Sequence, residues 1–179
     1  MFLIVSSKFF FIAIPSVLFL HEMEEWNIVR FHKYNYTIQY NETNMTERLW
    51  LFMLSLIGLF FSIICINIPN KIISNSIFLI LATFLLINGL QHILLSILLR
   101  KYNPGFVFGG ILGTALSLLY DIKIVSESVI PLWLFICITL LEFVPAGIDT
   151  VTSRRKNSLP QMIVQILRFS RFVEAKMNE

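Results

Sequence analysis

Four uninterrupted apolar stretches, residues 49–68, 72–99, 105–120 and 129–148, dominate the chain, and a fifth, 2–20, is broken by Lys8 and Pro15. Each predicts a helix that crosses a bilayer, because a hydrocarbon core of about 30 Å takes roughly 20 helical residues. Residues 49–68 and 129–148 match that length, and 72–99 has enough to tilt or project. The stretch 105–120 is short and reaches further only by adding Ile122, Ile124 and Val125 beyond Tyr120 and Asp121. The first stretch is expected to stay in the mature chain as a span. Lys8 is late for the charged region of a signal peptide, and no small-x-small site precedes His21. The expected fold is therefore all-α: an integral membrane helical bundle of about five transmembrane helices plus a C-terminal amphipathic helix. One domain, 1–150, forms the bundle, and 151–179 form a basic tail. A four-span version, with residues 1–20 outside the bilayer or removed, is the alternative.

Between the spans, residues 33–47 are polar, rich in Asn and Thr, and read as a solvated loop. Its three Asn-x-Ser/Thr sequons, at Asn35, Asn41 and Asn44, read as chance matches in an Asn-rich segment. In the tail, Ser158-Leu-Pro-Gln161 resembles a helix start. Met162, Ile163, Ile166, Leu167, Phe169 and Val173 then fall on one side, with Gln165, Arg168 and Arg171 elsewhere. That pattern suits a helix lying on an anionic inner leaflet. Neither an internal repeat nor a pair of broken inverted halves is visible.

Composition agrees with lipid as the solvent. Of 179 residues, 56% are hydrophobic and 14% charged, and the mean hydropathy is +0.76, which excludes an ordinary water-soluble globule. The basic residues then test the span model. Arg30, Lys33, Arg48, Arg100, Lys101, Arg154, Arg155, Lys156, Arg168, Arg171 and Lys176 fall on one side of five alternating spans; Lys8, Lys71 and Lys123 fall on the other. The positive-inside rule makes the rich side cytoplasmic, with the N-terminus outside and the C-terminus inside. Topology thus explains the net charge of +3, and no nucleic-acid partner is implied. Cys65 and Cys137 stand alone in apolar runs and read as packing residues.

The chemistry rests on polar residues placed where lipid is expected: His21, Glu24, Glu25, Asn88, Gln91, His92 and Glu142. Ionisable groups at such depths cost several kcal/mol, so they face the bundle interior, paired or bound to something. If Lys8 snorkels outward, the first span runs on through His21-Glu-Met-Glu-Glu25, and the motif lies near the inner edge of the hydrocarbon. His92 lies about 12 Å along the axis from the span end near Arg100, and Glu142 a turn and a half from the same face. All three groups share one leaflet. On a helix His21, Glu24 and Glu25 occupy i, i+3 and i+4 and share a face, with Glu22 turned away toward lipid headgroups or water; Asn88 and His92 are likewise i and i+4. Imidazole and carboxylate on neighbouring helices form a ligand set for zinc, iron or manganese. Alternatives stay open: a hydrated helix end for the first motif, a helix-helix hydrogen bond for His92, and a protonated or Arg-paired carboxyl for Glu142. Gly105, Gly109 and Gly113, followed by Ser117, predict a close helix-packing face.

Taken in order, His21-Glu-Met-Glu-Glu25, Asn88-Gly-Leu-Gln-His92 and Arg100-Lys-Tyr-Asn-Pro-Gly105 resemble the HXXEE-motif family of integral membrane proteins. The resemblance covers residues 21–105. It implies a membrane-embedded enzyme of no assigned reaction, and His21, Glu24, Glu25, Asn88, His92, Arg100, Tyr102, Pro104 and Gly105 as its site. Glu142 lies outside that pattern. The zincin signature HExxH is absent, since position 25 is Glu.

Two functions follow as expectations. The first is a metal-dependent membrane enzyme, a hydrolase or transferase acting on a lipid-like substrate. His21, Glu24 and His92 bind a divalent ion, Glu25 is a further ligand or the base, Arg100 clamps a phosphate or carboxylate, and Asn88, Tyr102 and Glu142 support. The second is a non-catalytic small membrane protein: a transporter, an immunity or resistance factor, or a partner subunit. It predicts polar groups continuing across both leaflets, whereas the outer side offers only Asn67, Ser74, Asn75 and Ser76.

Overall fold

The computed structural model describes residues 6–36 and 42–177; the beginning of the first apolar run and the sequon at Asn41 lie outside them. The described residues form seven helices and no strand: α1 (Ser7–Glu24), α2 (Ile28–Asn35), α3 (Asn44–Asn67), α4 (Lys71–Leu99), α5 (Phe106–Ser126), α6 (Leu132–Arg155) and α7 (Gln161–Met177). Four of them, α3 to α6, are long and apolar enough to cross a membrane. The first helix is shorter and carries Lys8, Glu22 and Glu24, which sets it apart from those four.

Local chemistry sets the boundaries. Thr43 caps α3 by accepting from the Thr46 amide at 3.0 Å, and Asn70 caps α4 by accepting from the Ile72 and Ile73 amides at 3.0 and 3.1 Å. The fourth helix stops where Arg100 turns left-handed, at φ 50°. The fifth opens with two π-helical turns over Phe106–Gly113, where the Gly110 amide reaches back five residues to the Gly105 carbonyl at 2.9 Å. π-Helical turns are rare and concentrate at functional sites.

Packing gives α1 a central place, against α3, α4 and α5. Its Phe10, Phe11, Ile14 and Leu18 are buried with Phe78, Leu79 and Leu85 of α4 and with Tyr120 and Ile124 of α5. The Phe11 and Phe78 rings lie 4.4 Å apart, and Phe78 and Tyr120 meet edge-on at 5.3 Å. On the outside, Phe60, Ile97 and Leu141 are exposed, as side chains solvated by acyl chains would be.

Two regions differ from the sequence reading. The segment read as loop, 33–47, is helical at both ends: its first three residues close the amphipathic helix α2, whose Ile28, Val29 and His32 are buried, and its last four open α3. The sixth helix runs to Arg155, past the apolar stretch, and its Asp149 carboxylate accepts from the Gln161 and Met162 amides at 2.8 and 3.0 Å, fixing the start of α7. The tail does form a helix. Its Val164 and Leu167 pack inward, and α7 lies against α3, with Thr46 donating to Glu174 at 2.6 Å, while Phe169 and Phe172 stay exposed beside Arg168 and Arg171.

Candidate metal centre

His21 lies on the last turn of α1 and is fully buried. Glu25 follows it by one helical turn, kept in register by its amide, which donates to the His21 carbonyl at 3.2 Å. His92 comes from α4. The two imidazoles stand 4.9 Å apart between centroids, edge to face, and His92 Nε2 is 3.0 Å from Glu25 Oε1. One ligand atom from each of His21, Glu25 and His92 lies within 4.8 Å of the others. The two sequence-distant histidines and Glu25 therefore converge.

Asparagine amides hold both rings from behind. Asn88 Nδ2 is 2.7 Å from His21 Nε2, and Asn103 Nδ2 is 2.9 Å from His92 Nδ1. Amide orientation and tautomer are interchangeable in both pairs; with the amide oxygen turned to the ring, each asparagine accepts one N–H and leaves the other nitrogen as a lone-pair donor. That is how protein-bound metals orient their histidine ligands. Nδ1 of His21 has no hydrogen-bond partner. Glycine makes the space: at Gly105, whose φ is +88°, an added Cβ would stand 2.5 Å from His21 Cε1, 2.6 Å from His92 Cε1 and 2.8 Å from Glu25 Oε1. At Gly109 it would stand 2.4 Å from His21 Nδ1. The glycine face of α5 thus packs closely, and what it packs against is the imidazole.

Glu24 is placed otherwise. Its carboxylate accepts from the Val107 and Phe108 amides at 3.1 and 2.8 Å and from the Tyr102 hydroxyl, so it caps the N-terminus of α5 and does not join the triad. Burial and the adjacent Glu24 carboxylate push the Tyr102 hydroxyl up to about 12. Arg100 is exposed at the end of α4. Glu142 comes from α6, with one carboxylate oxygen unpartnered.

Glu25 and His92 of the triad, but not His21, line a cavity of about 570 Å³. Glu22, Glu25, Asn88, His92 and Asn103 line its polar end, Glu142 its flank, and Trp50, Leu51, Leu54, Phe84, Leu95, Met162 and Ile166 its apolar walls. Arg100 does not line it. Glu22 departs from the sequence reading: it is buried against this cavity, not turned to water, and its Oε1 has no partner.

Sequence reasoning also passed over a second group. His32 of α2 has its Nδ1 3.3 Å from Glu42 Oε2 and 3.3 Å from Glu47 Oε1, with all three side chains buried. Burial works against a charged His32, but the two carboxylates outweigh it and raise the imidazole to about 9. Glu42 is pushed up by burial and more strongly down by His32, so it ends below its usual range. One signal was available. The chain has three histidines, and every one of them sits in a buried cluster with Glu.

Neither a curated protein nor a solved structure matches the chain. The model of the family described as "Protein of unknown function with HXXEE motif" matches residues 12–120, which contain His21, Glu24, Glu25, Asn88, His92 and Gly105, and the chain belongs to that family.

Proposed function

We propose that the protein is a metal-dependent membrane enzyme whose divalent ion is held by His21, Glu25 and His92 and whose substrate is an amphiphile with an apolar chain. The observation that carries this reading is a buried two-histidine, one-glutamate triad, two of whose members, Glu25 and His92, line a cavity with predominantly apolar walls. Metal bonds of about 2.1 Å put neighbouring ligands about 3.0–3.4 Å apart, which suits the His92–Glu25 separation. Two nitrogens and one carboxylate fit zinc or ferrous iron, with coordination positions left for water and substrate.

Chemically, such an ion polarises a carbonyl or phosphoryl oxygen and acidifies a bound water. Glu22 faces the same cavity with an unpaired carboxylate oxygen and supplies a base. Hydrolysis or group transfer at the head of a lipid-like substrate is the reaction class, with the apolar chain lying along Trp50, Leu54 and Phe84. Asn88 and Asn103 orient the imidazoles, and Glu24 with Tyr102 fixes α5 and its glycine face. In the membrane, α1 forms a fifth crossing, the N-terminus lies outside and the basic C-terminal side is cytoplasmic. The exposed Phe169 and Phe172, beside Arg168 and Arg171, rest α7 on the inner leaflet.

Two measurements on purified full-length protein test this: bound metal by elemental analysis, and hydrolysis of acyl-ester and phosphoester amphiphiles in mixed micelles. Wild type is expected to carry metal and activity, and His92→Ala to lose the triad's ion and the activity while remaining folded. Equal metal at the triad in the two proteins would remove the proposal.

A further inference from the structure

The second buried cluster poses a counting problem. Glu42 Oε2 and Glu47 Oε1 each approach His32 Nδ1 to 3.3 Å, yet a ring nitrogen carries at most one proton. Glu42 makes the hydrogen bond. Glu47 Oε1, on a side chain 2% exposed, is left aimed at the same nitrogen without a hydrogen-bond partner. A buried carboxylate oxygen without a donor pays its desolvation cost uncompensated. Protons alone satisfy the three groups only with a second one shared between Glu42 and Glu47, whereas one cation at their meeting point serves all three.

Separations support the same conclusion. Ligand atoms of His32, Glu42 and Glu47 lie within 4.8 Å of one another, and two edges of 3.3 Å match the spacing about a common ion bonded at about 2.1 Å. The surroundings ask for positive charge as well. His32 and Glu47 line the cavity that also receives Glu25 and His92. Glu22, 1% exposed and with an unpartnered oxygen, lies on that wall, where the charges acting on it are the carboxylates of Glu25 and Glu47. Glu22, Glu25, Glu42 and Glu47 are all buried, and a divalent ion in place of the His32 proton would add positive charge among them.

We infer that His32, Glu42 and Glu47 form a second divalent-cation site, so that the cavity is served by two metal ions. With one imidazole and two carboxylates it is richer in oxygen than the first triad and better suited to manganese or ferrous iron, whereas the first suits zinc. The cluster joins three separate pieces of chain, α2, the segment before α3 and the first turn of α3, so the ion would also tie α2 to the bundle. The inference adds to the proposed function, and its failure leaves the first triad intact.

The experiment measures metal stoichiometry on full-length protein in detergent, after equilibrium dialysis against manganese or zinc alone, for wild type, Glu47→Gln, Glu42→Gln and His92→Ala. Circular dichroism and gel filtration check each fold. Glu42 precedes α3 and tests the site should Glu47→Gln fail to fold. Two ions per chain in wild type, one in each Glu variant and one in His92→Ala are expected, with the manganese affinity of the ion lost from the Glu variants reduced at least tenfold. One ion in wild type that persists in Glu42→Gln and Glu47→Gln but disappears in His92→Ala overturns the second site and keeps the first. No bound ion in wild type overturns both.

Discussion

Gly105→Ala is the most incisive perturbation of the candidate centre, because it reaches all three ligands without removing any of them. The new methyl would lie 2.5 Å from His21 Cε1, 2.6 Å from His92 Cε1 and 2.8 Å from Glu25 Oε1. Ordinary contacts between carbon atoms lie at about 3.5–4.0 Å, so each ring must retreat by about 1 Å. Metal sites tolerate ligand displacements of only about 0.2 Å. Metal affinity is therefore expected to fall at least tenfold, the lower end of the roughly 10–100-fold cost of losing a supporting hydrogen bond. The backbone adds a separate term: alanine at φ +88° costs about 1–2 kcal/mol, or roughly 2–8 °C in melting temperature for a chain of this size. Gly147→Ala is the matched control. Its methyl meets nothing within 4 Å, lies within α6, and should leave metal binding unchanged while adding about 0.5–1 kcal/mol of stability. Isothermal titration with zinc and thermal melts of the three proteins decide the matter. A folded Gly105→Ala protein that binds zinc like wild type would refute convergence of the triad on a common ion.

Glu24→Gln separates the two roles open to that residue. As the cap of α5 its charge contributes about 0.3–1 kcal/mol at the helix N-terminus, so the variant should melt about 1–4 °C lower with metal content unchanged; loss of metal at unchanged stability would return Glu24 to the ligand set. The orientation is checked by cysteine substitutions at the exposed Glu127 and Arg155, made in a background in which Cys65 and Cys137 are replaced by Ala. A membrane-impermeant maleimide applied to intact cells should label position 127 and spare position 155, and the opposite pattern would invert the topology.

The large-scale architecture was legible because lipid imposes a simple rule. A span needs length and apolarity, and the expected stretches 49–68, 72–99, 105–120 and 129–148 reappear as α3 to α6, each extended at one end, α3 and α4 back to Asn44 and Lys71, α5 and α6 on to Ser126 and Arg155. What hydropathy does not encode is where a polar helix end turns. The face assigned to His21, Glu24 and Glu25 was rotated. At about 100° per residue, Glu22 lies only about 60° from Glu25, on the side opposite Glu24. The cavity took Glu22 and Glu25, and Glu24 was left facing α5. Neighbouring helices make that choice, and spacing within one helix cannot. The His32 cluster was invisible for a related reason. Its members come from a helix, a connecting segment and another helix, so no fixed spacing announces them, and Glu42 and Glu47 lie in the stretch 33–47 whose polarity reads as loop. Asn103 was hidden between the spans for want of a helical period, yet it holds His92.

The three acidic or basic letters of HXXEE thus divide into two tasks that depend on each other. His21 and Glu25 face the centre, whereas Glu24, between them in sequence, reaches the first amides of α5. Those amides head a stretch of π-helix, and the wider π-helical turns bring Gly109 against His21 and Gly105 to the edge of both imidazoles. An ordinary α-helical start would close its hydrogen bonds four residues back and turn these glycines to other positions. Tyr102, on the loop that leads into α5, donates to the same carboxylate and joins α1 to that loop at a second point. Glu24 thus acts on the candidate metal centre through a helix terminus. The carboxylate fixes α5 against α1, α5 presents backbone where any side chain would intrude, and the room so made is what allows two histidines from distant parts of the chain to share one buried point.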